Sequence, residues 1–368
     1  MKFRLRLPIF WRWPLDWWLY LVPVLLVGIG IATITSLTYG TSRVSLAINQ
    51  GIYAGLGFVV MMAVSRFDYR NWRGLVGYFY LLVVILLIAV ERFGVVIFGA
   101  RRWLDIGGFF NLQPSELAKL AMVLLLARFF ADREELIRRD YLWLAVLLAV
   151  PIGLVLVQPD LGTALVLMIV AFGMFWAGGV ARKILLGAVA VGVASLPIIW
   201  QFLADYQRTR VATFLNPAAD PYGAGYNVLQ ALIAVGSGGL FGQGLGQGSQ
   251  SQQEFLPVAH TDFIFAGVAE ATGLVGSLVL IALLTFLILR VIRVAQVSRD
   301  QFGYLVAVGI AFLFLTQVVI NIAMNLAWAP VTGIPLPFVS HGGTALITNF
   351  IAIGILQSIM LRHKKITF

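Results

Sequence analysis

The feature that most constrains this chain is a series of mostly apolar stretches. Ten of them recur, at roughly 17–37, 47–65, 75–90, 114–131, 141–157, 163–178, 184–200, 262–289, 303–327 and 342–361. Backbone amides inside lipid must be satisfied within the segment itself, so each such run is read as a membrane-spanning helix. Several hold about 16 to 18 apolar residues, near the short end for a span. Hydrophobic residues make up 60% of the chain, charged residues 11%, and mean hydropathy is +0.93, which leaves no polar block large enough for a soluble domain. The expectation is an all-α integral membrane protein of about ten transmembrane helices, with residues 1–368 forming one polytopic membrane domain. A long outer loop, 201–261, separates spans 7 and 8. The first apolar run is too long for the core of a cleaved signal and is read as a retained span. There is no cysteine, so disulfides and thiolate metal sites are excluded.

A net charge of +10 could indicate nucleic acid, but the distribution of the charge argues against it. With the N-terminus in the cytoplasm, 19 of the 26 Lys and Arg residues fall in cytoplasmic segments and Lys119 lies inside a span. The other six, Arg43, Arg92, Arg101, Arg102, Arg208 and Arg210, fall outside. Both termini are therefore expected in the cytoplasm. The segments of unusual chemistry, 91–113, 158–162, 201–261 and 328–341, then all face outward.

Asp262 stands where a polar stretch beginning at Glu254 gives way to the eighth apolar run. A carboxylate there suits a base acting on a substrate with a polar head and a lipid tail; the alternative is a simple helix cap. Asp160, in the tight break Gln158-Pro159-Asp160-Leu161-Gly162, carries the same two readings. A charge at mid-bilayer costs roughly 2.5–3.5 kcal/mol. Glu116 and Lys119, on one helix face, are either a mutually neutralising pair or a source of positive charge for an anionic ligand. Glu270 is expected to be buried between helices, with Ala266, Ala269, Gly273 and Gly276 permitting close packing. Arg101 and Arg102 lie on the side where basic residues are few, so membrane anchoring does not explain them. Phosphate binding would, as would ion pairing with Glu91 or Asp105. Residues 225–235 can form a short amphipathic interfacial helix. The glycine-rich run 242–248 imitates a nucleotide loop, but no strand precedes it, and a mobile loop ordering on substrate is expected instead. The uncharged segment 333–343, with Ser340 and His341, is expected to be rigid and to line a cavity.

Five collinear segments, GARRWLDIGGFFNLQPSELAKL (99–120), QPDLGTAL (158–165), FLNPAADPYGAGYNVLQALIAVGSGG (214–239), FLPVAHTDFIFA (255–266) and GIPLPFVSHGGTAL (333–346), together resemble the RodA/FtsW/SpoVE (SEDS) family of cell-wall glycosyltransferases. The QSQQEFLP and WLDIGG runs look more like the RodA branch, which implies elongation rather than division. The resemblance implies polymerisation of lipid II on the outer face of the bacterial cytoplasmic membrane. It implies Asp262 as the catalytic residue and Arg102, Glu116, Lys119 and Asp160 as functional positions; these four, with Arg101, His260 and Ser340, are the candidate substrate-binding residues. A divalent cation, Mg or Mn, would enter through the substrate pyrophosphate. The implied partners are a class B penicillin-binding protein and other membrane proteins of the elongation complex, with no nucleic acid. Three departures stand out: Val258 where the family has an acid, Ala271 after Glu270, and His341 where the family has tyrosine. A lipid II flippase and a non-catalytic scaffold are the competing readings.

Overall fold

The computed structural model describes residues 16–38, 44–97, 100–108, 110–133, 135–202, 205–217, 225–248 and 259–362. The basic N-terminal residues Lys2, Arg4, Arg6 and Arg12, together with Arg43, Val258, the run 250–257, and Lys364 and Lys365, lie outside them.

Every expected span is a helix. In chain order these are α1 (Trp18–Thr38), α2 (Ser45–Arg66), α3 (Tyr69–Phe93), α4 (Pro114–Ala131), α5 (Arg138–Val157), α6 (Leu161–Ala177) and α7 (Arg182–Phe202). Two shorter helices follow, α8 (Asp205–Leu215) and α9 (Tyr226–Ser237), the second of which is the helix expected over 225–235. Then come α10 (Ile264–Val297), α11 (Gln301–Asn325) and α12 (Gly343–Leu361). Seven of the helices, α1, α2, α3, α5, α10, α11 and α12, are long and apolar enough to cross a membrane. The 17-residue α6 is apolar but shorter, and α4 carries Glu116, Lys119 and Arg128 within 18 residues. The chain is a multi-pass membrane protein.

Between α3 and α4 the chain forms a small antiparallel sheet, β1 (Val95–Ile97), β2 (Ala100–Ile106) and β3 (Phe110–Leu112). Its second turn begins with Gly107 and Gly108, at φ 67° and 74°, a left-handed geometry that favours glycine. Asp105 Oδ1 accepts the Gly108 amide at 2.9 Å and closes that turn.

Water cannot drive helix association inside lipid, so close packing does, and glycines permit it. A Cβ at Gly57 of α2 would meet the Phe350 ring at 2.4 Å, and one at Gly354 of α12 would meet the Met61 carbonyl at 2.8 Å. These two contacts bring α2 and α12 together.

Buried polar bonds lock the bundle at one end. Arg290 Nε of α10 donates to Asp16 Oδ2 at 2.8 Å, and Gln357 Nε2 of α12 donates to the Asp16 carbonyl at 2.7 Å. Tyr69 donates its hydroxyl to Asp300 at 2.8 Å and its amide to Ser358 Oγ at 3.0 Å.

The 34-residue α10 is not continuous. Gly273, at φ 68° and ψ −163°, breaks it. The glycine-rich run supplies the hydrogen bonds that the break removes. Gln243 and Gly244 donate their amides to the carbonyls of Glu270 and Ala271 at 2.9 and 3.1 Å. Gly239 and Leu240 accept from the amides of Leu274 and Val275 at 2.9 and 3.1 Å. This run therefore braces a helix break and is not a loose loop awaiting substrate. Gly273, expected to admit a neighbouring helix, is instead the break itself, because only glycine takes this backbone geometry without strain. Glu270 is buried as expected, at 1% exposure, with Gly248 directly over its carboxylate.

Candidate active site

Asp262 lies in a turn of residues 259–263 that feeds α10. It does not cap the helix: the cap position is Phe263, and no side chain accepts there. The turn is held instead through its backbone. Asn321 and Asn325, one helical turn apart on α11 and fully buried, each donate a side-chain amide to the Asp262 carbonyl at 3.0 Å. Asn325 Oδ1 accepts from the Ala266 amide at 3.0 Å, which satisfies one of the orphan donors of the helix start. Asn321 also donates to the Ile334 carbonyl at 2.8 Å, tying in the segment between α11 and α12.

That segment supports the turn from the other side. Ser340 Oγ donates to the Thr261 carbonyl at 2.6 Å and accepts from the Leu336 amide at 2.8 Å. The His341 amide donates to the His260 carbonyl at 2.8 Å, and the two imidazoles meet edge to face at 5.8 Å. Gln50 of α2 brackets the segment, donating to the Ser340 carbonyl at 3.0 Å and accepting from the Gly342 amide at 3.4 Å. Beneath the turn, Ala231 and Ala234 of α9 pack on Ala259, Phe263 and Ala266 in a small separate core.

The side chain of Asp262 stays partly exposed. Desolvation pushes its carboxyl up to about 6, against the opposing pull of a Thr261 hydrogen bond and the Arg210 and Arg102 charges. Burial, then the neighbouring His260, pushes His341 down to about 4. His341 is therefore neutral near pH 7, and its Nδ1 is buried without a protein partner.

Asp160 does cap its helix, as its alternative reading held. Oδ1 accepts the Thr163 amide at 3.2 Å and Oδ2 the Thr163 hydroxyl at 2.9 Å. Arg102 secures the same break, with Nη1 3.8 Å from Asp160 Oδ1 and Nε donating to the Gln158 carbonyl at 3.1 Å. A further bond runs from Arg102 to the Pro159 carbonyl. Close backbone contacts join this corner to Asp262. A Cβ at Gly162 would sit 2.3 Å from the Thr332 carbonyl, and one at Gly333 would sit 3.4 Å from Asp262 Oδ2.

The adjacent arginines do not act together. Successive strand residues face opposite sides, so Arg102 turns to the 158–160 break while Arg101 is exposed, its Nη1 3.4 Å from the Glu91 carbonyl. Neither of the anticipated ion pairs, with the carboxylates of Glu91 or Asp105, is the partner shown. Glu116 and Lys119 form an ion pair of 2.7 Å, each about 3% exposed, with Glu116 Oε2 left without a protein partner. The structure brings Asp262, His260, Ser340, Asp160 and Arg102 around residues 332–341, while Glu116 and Lys119 sit inside α4 and Arg101 at the surface. Sequence reasoning missed Asn321 and Asn325, whose one-turn spacing inside an apolar span was an available signal. Among the described residues, no three His, Cys, Asp or Glu side chains converge as a metal site.

Comparison with known proteins agrees with this architecture. The chain is 42% identical over 316 residues to the Escherichia coli K12 peptidoglycan glycosyltransferase MrdB, covering 85% of each. It is 40% identical over 322 residues to the probable peptidoglycan glycosyltransferase FtsW of Geobacter metallireducens, covering 86% of this chain and 84% of that one. A structure described as the coordination of polymerization and crosslinking by a peptidoglycan synthase complex superposes with TM-score 0.81 at 30% identity, covering 95% and 98% of the two chains. The rod shape determining protein RodA of Thermus thermophilus superposes with TM-score 0.71 at 28% identity, covering 94% and 96%. Residues 15–365 match the FtsW/RodA/SpoVE family of cell cycle proteins, and the chain belongs to that family.

Proposed function

We infer that this protein is a peptidoglycan glycosyltransferase that polymerises lipid II during cell elongation, with Asp262 as its general base. The acceptor 4-hydroxyl attacks the anomeric carbon of the donor. The new C–O bond forms as the bond from that carbon to the pyrophosphate oxygen breaks. The electron pair leaves with the pyrophosphate, and the hydroxyl proton passes to Asp262. One inversion converts an α-linked donor into a β-1,4 product, so a single carboxylate suffices. Desolvation makes Asp262 a stronger base than a solvated carboxylate while leaving it ionised near pH 7.

The observation carrying this reading is a partly buried carboxylate that caps no helix and is held by its backbone at the start of a span. Ser340 and Arg102 act as positioning residues, since their polar atoms are engaged with the turn and with the 158–160 break. Asp160 caps α6 beside the same site, and His260, in the Asp262 turn, meets the His341 ring. Arg101 is an exposed anion contact, and Glu116 with Lys119 supports the fold as a buried pair. A divalent ion, if used, would draw most of its ligands from the pyrophosphate and one or two from carboxylates such as Asp262. The excess of Lys and Arg in alternate loops supports cytoplasmic termini and an outward-facing site in the bacterial cytoplasmic membrane. The match to a synthase complex named for polymerization and crosslinking supports a class B penicillin-binding protein as partner.

The test is glycan-strand formation from lipid II in detergent, with that partner present, comparing wild type with Asp262→Asn. Polymer from wild type and none from the folded variant supports the assignment. Normal polymer from the variant refutes Asp262 as base. No polymer from wild type beside a demonstrably active partner would favour a lipid flippase.

A further inference from the structure

Arg210, one of the outward arginines, has a distinctive setting in α8. Arg208, two residues earlier, donates to the Gln201 and Trp200 carbonyls at 2.9 and 3.3 Å, which ties α8 back to the end of α7. Arg210 itself lines a small pocket of about 40 Å³, open on one side. Phe214 of α8 and Val228 of α9 form one wall, and Pro330 and Val331, from the segment between α11 and α12, form the other. The lining is apolar apart from the guanidinium and the hydroxyl of Thr213.

The pocket is continuous with the site. Val331 also packs on the small core under the Asp262 turn, and Gly333, two residues on, approaches the Asp262 carboxylate. Among the charges acting on Asp262, that of Arg210 has the largest effect. A soluble anion would gain nothing from apolar walls. A bare lipid tail would gain nothing from an arginine. A ligand carrying both chemistries, phosphate oxygens for the planar guanidinium and branched hydrocarbon for the walls, uses the whole lining. The enclosed space admits only a few water-sized groups, so it seats the junction of phosphate and hydrocarbon, and the rest of the ligand lies over its open side.

We propose that the pocket lined by Arg210, Phe214, Val228 and Val331 is the contact point for the pyrophosphate and the first isoprene unit of the polyprenyl-linked donor. This rests on the glycosyltransferase reading above and adds the residue that receives the leaving group. As the anomeric bond breaks, negative charge accumulates on the pyrophosphate oxygen, and Arg210 is the cation that would stabilise it.

The experiment measures inhibition of polymerisation by farnesyl pyrophosphate and by inorganic pyrophosphate, and direct binding of both, in the detergent-purified protein with its partner. Wild type is expected to bind farnesyl pyrophosphate at least about tenfold more tightly than inorganic pyrophosphate. Arg210→Ala is expected to weaken farnesyl pyrophosphate about tenfold or more, with KM for lipid II rising, and Arg210→Lys to recover part of the loss. Phe214→Ala is expected to reduce the preference for the prenylated ligand while leaving inorganic pyrophosphate unchanged. Thermal unfolding of each variant separates lost binding from lost folding. Unchanged affinity in folded Arg210→Ala overturns the proposal, as does equal affinity of wild type for the two probes. Should Arg210→Ala fail to fold, unchanged farnesyl pyrophosphate affinity in both Arg210→Lys and Phe214→Ala overturns it. Because binding is read separately, a wild-type protein that binds the prenyl probe but makes no polymer would refute the enzymatic reading and not the subsite.

Discussion

Replacing Asp262 by asparagine should make the protein more stable while abolishing its activity. Burial raises this carboxyl from 3.8 to about 6, so the native state holds the proton more tightly than the unfolded chain does. Ionisation therefore costs stability as pH rises from about 4 to about 6, and the full cost is present above that window. A carboxyl raised from 3.8 to about 6 corresponds to about 3 kcal/mol for a fully enclosed group. The side chain is partly open to solvent, which lowers the expected figure to about 1–2 kcal/mol. Asparagine carries no charge and keeps the backbone carbonyl that Asn321 and Asn325 hold. Thermal unfolding of detergent-purified protein across this pH range is the assay. The Asp262→Asn variant should unfold at a higher temperature near pH 7, and the difference should vanish below about pH 4. Asp160→Ala should do the reverse, losing about 1–3 kcal/mol with the cap of α6 and the partner of Arg102. The reasoning fails if Asp262→Asn is the less stable protein near pH 7, or if its advantage does not depend on pH.

The pH dependence of polymerisation should have its acid limb near 6, with activity rising as Asp262 ionises and about tenfold lost one unit below the midpoint. Arg210→Ala should move that limb upward in a pH–rate profile, since the arginine favours the carboxylate, while His341, neutral down to about 4, adds no limb there. Lys119→Met strands a buried carboxylate and should cost about 3–5 kcal/mol in thermal unfolding, whereas Glu116→Gln/Lys119→Met together should cost much less. Gly273→Ala combines a φ of 68° with a Cβ 2.4 Å from the Gly242 nitrogen, so the brace should open. Limited proteolysis within 238–248 should report this as faster cleavage.

The ten expected spans were legible as helices because a lipid environment leaves an apolar run little other choice. Asp262 was legible because it marks the change from polar to apolar chain. The small sheet was not: strands of three, seven and three residues, set among arginines and glycines, carry little periodic signal. The opposed directions of Arg101 and Arg102 follow from that sheet, so adjacency in sequence does not place them at one site. The spacing of Asn321 and Asn325 marks them as a buried polar pair, but not that they hold the Asp262 turn, which lies about sixty residues away along the chain. The glycine-rich run was misjudged for a related reason. Glycine reads locally as flexibility, whereas here it allows one backbone to lie against another, a property of the contact and not of the segment.

That kind of contact also governs how such a protein can diversify. Gly30 against the Val339 carbonyl, Gly162 against the Thr332 carbonyl, and Gly242 against the Ala271 carbonyl leave 2.2–2.4 Å for an added Cβ. These crossings behave as fixed rivets: no side chain intervenes whose size could be traded for another. Variation is then channelled to positions where a side chain has room to differ, such as His341, where the family has tyrosine. The framework around the carboxylate is accordingly expected to drift least where it has no side chains at all.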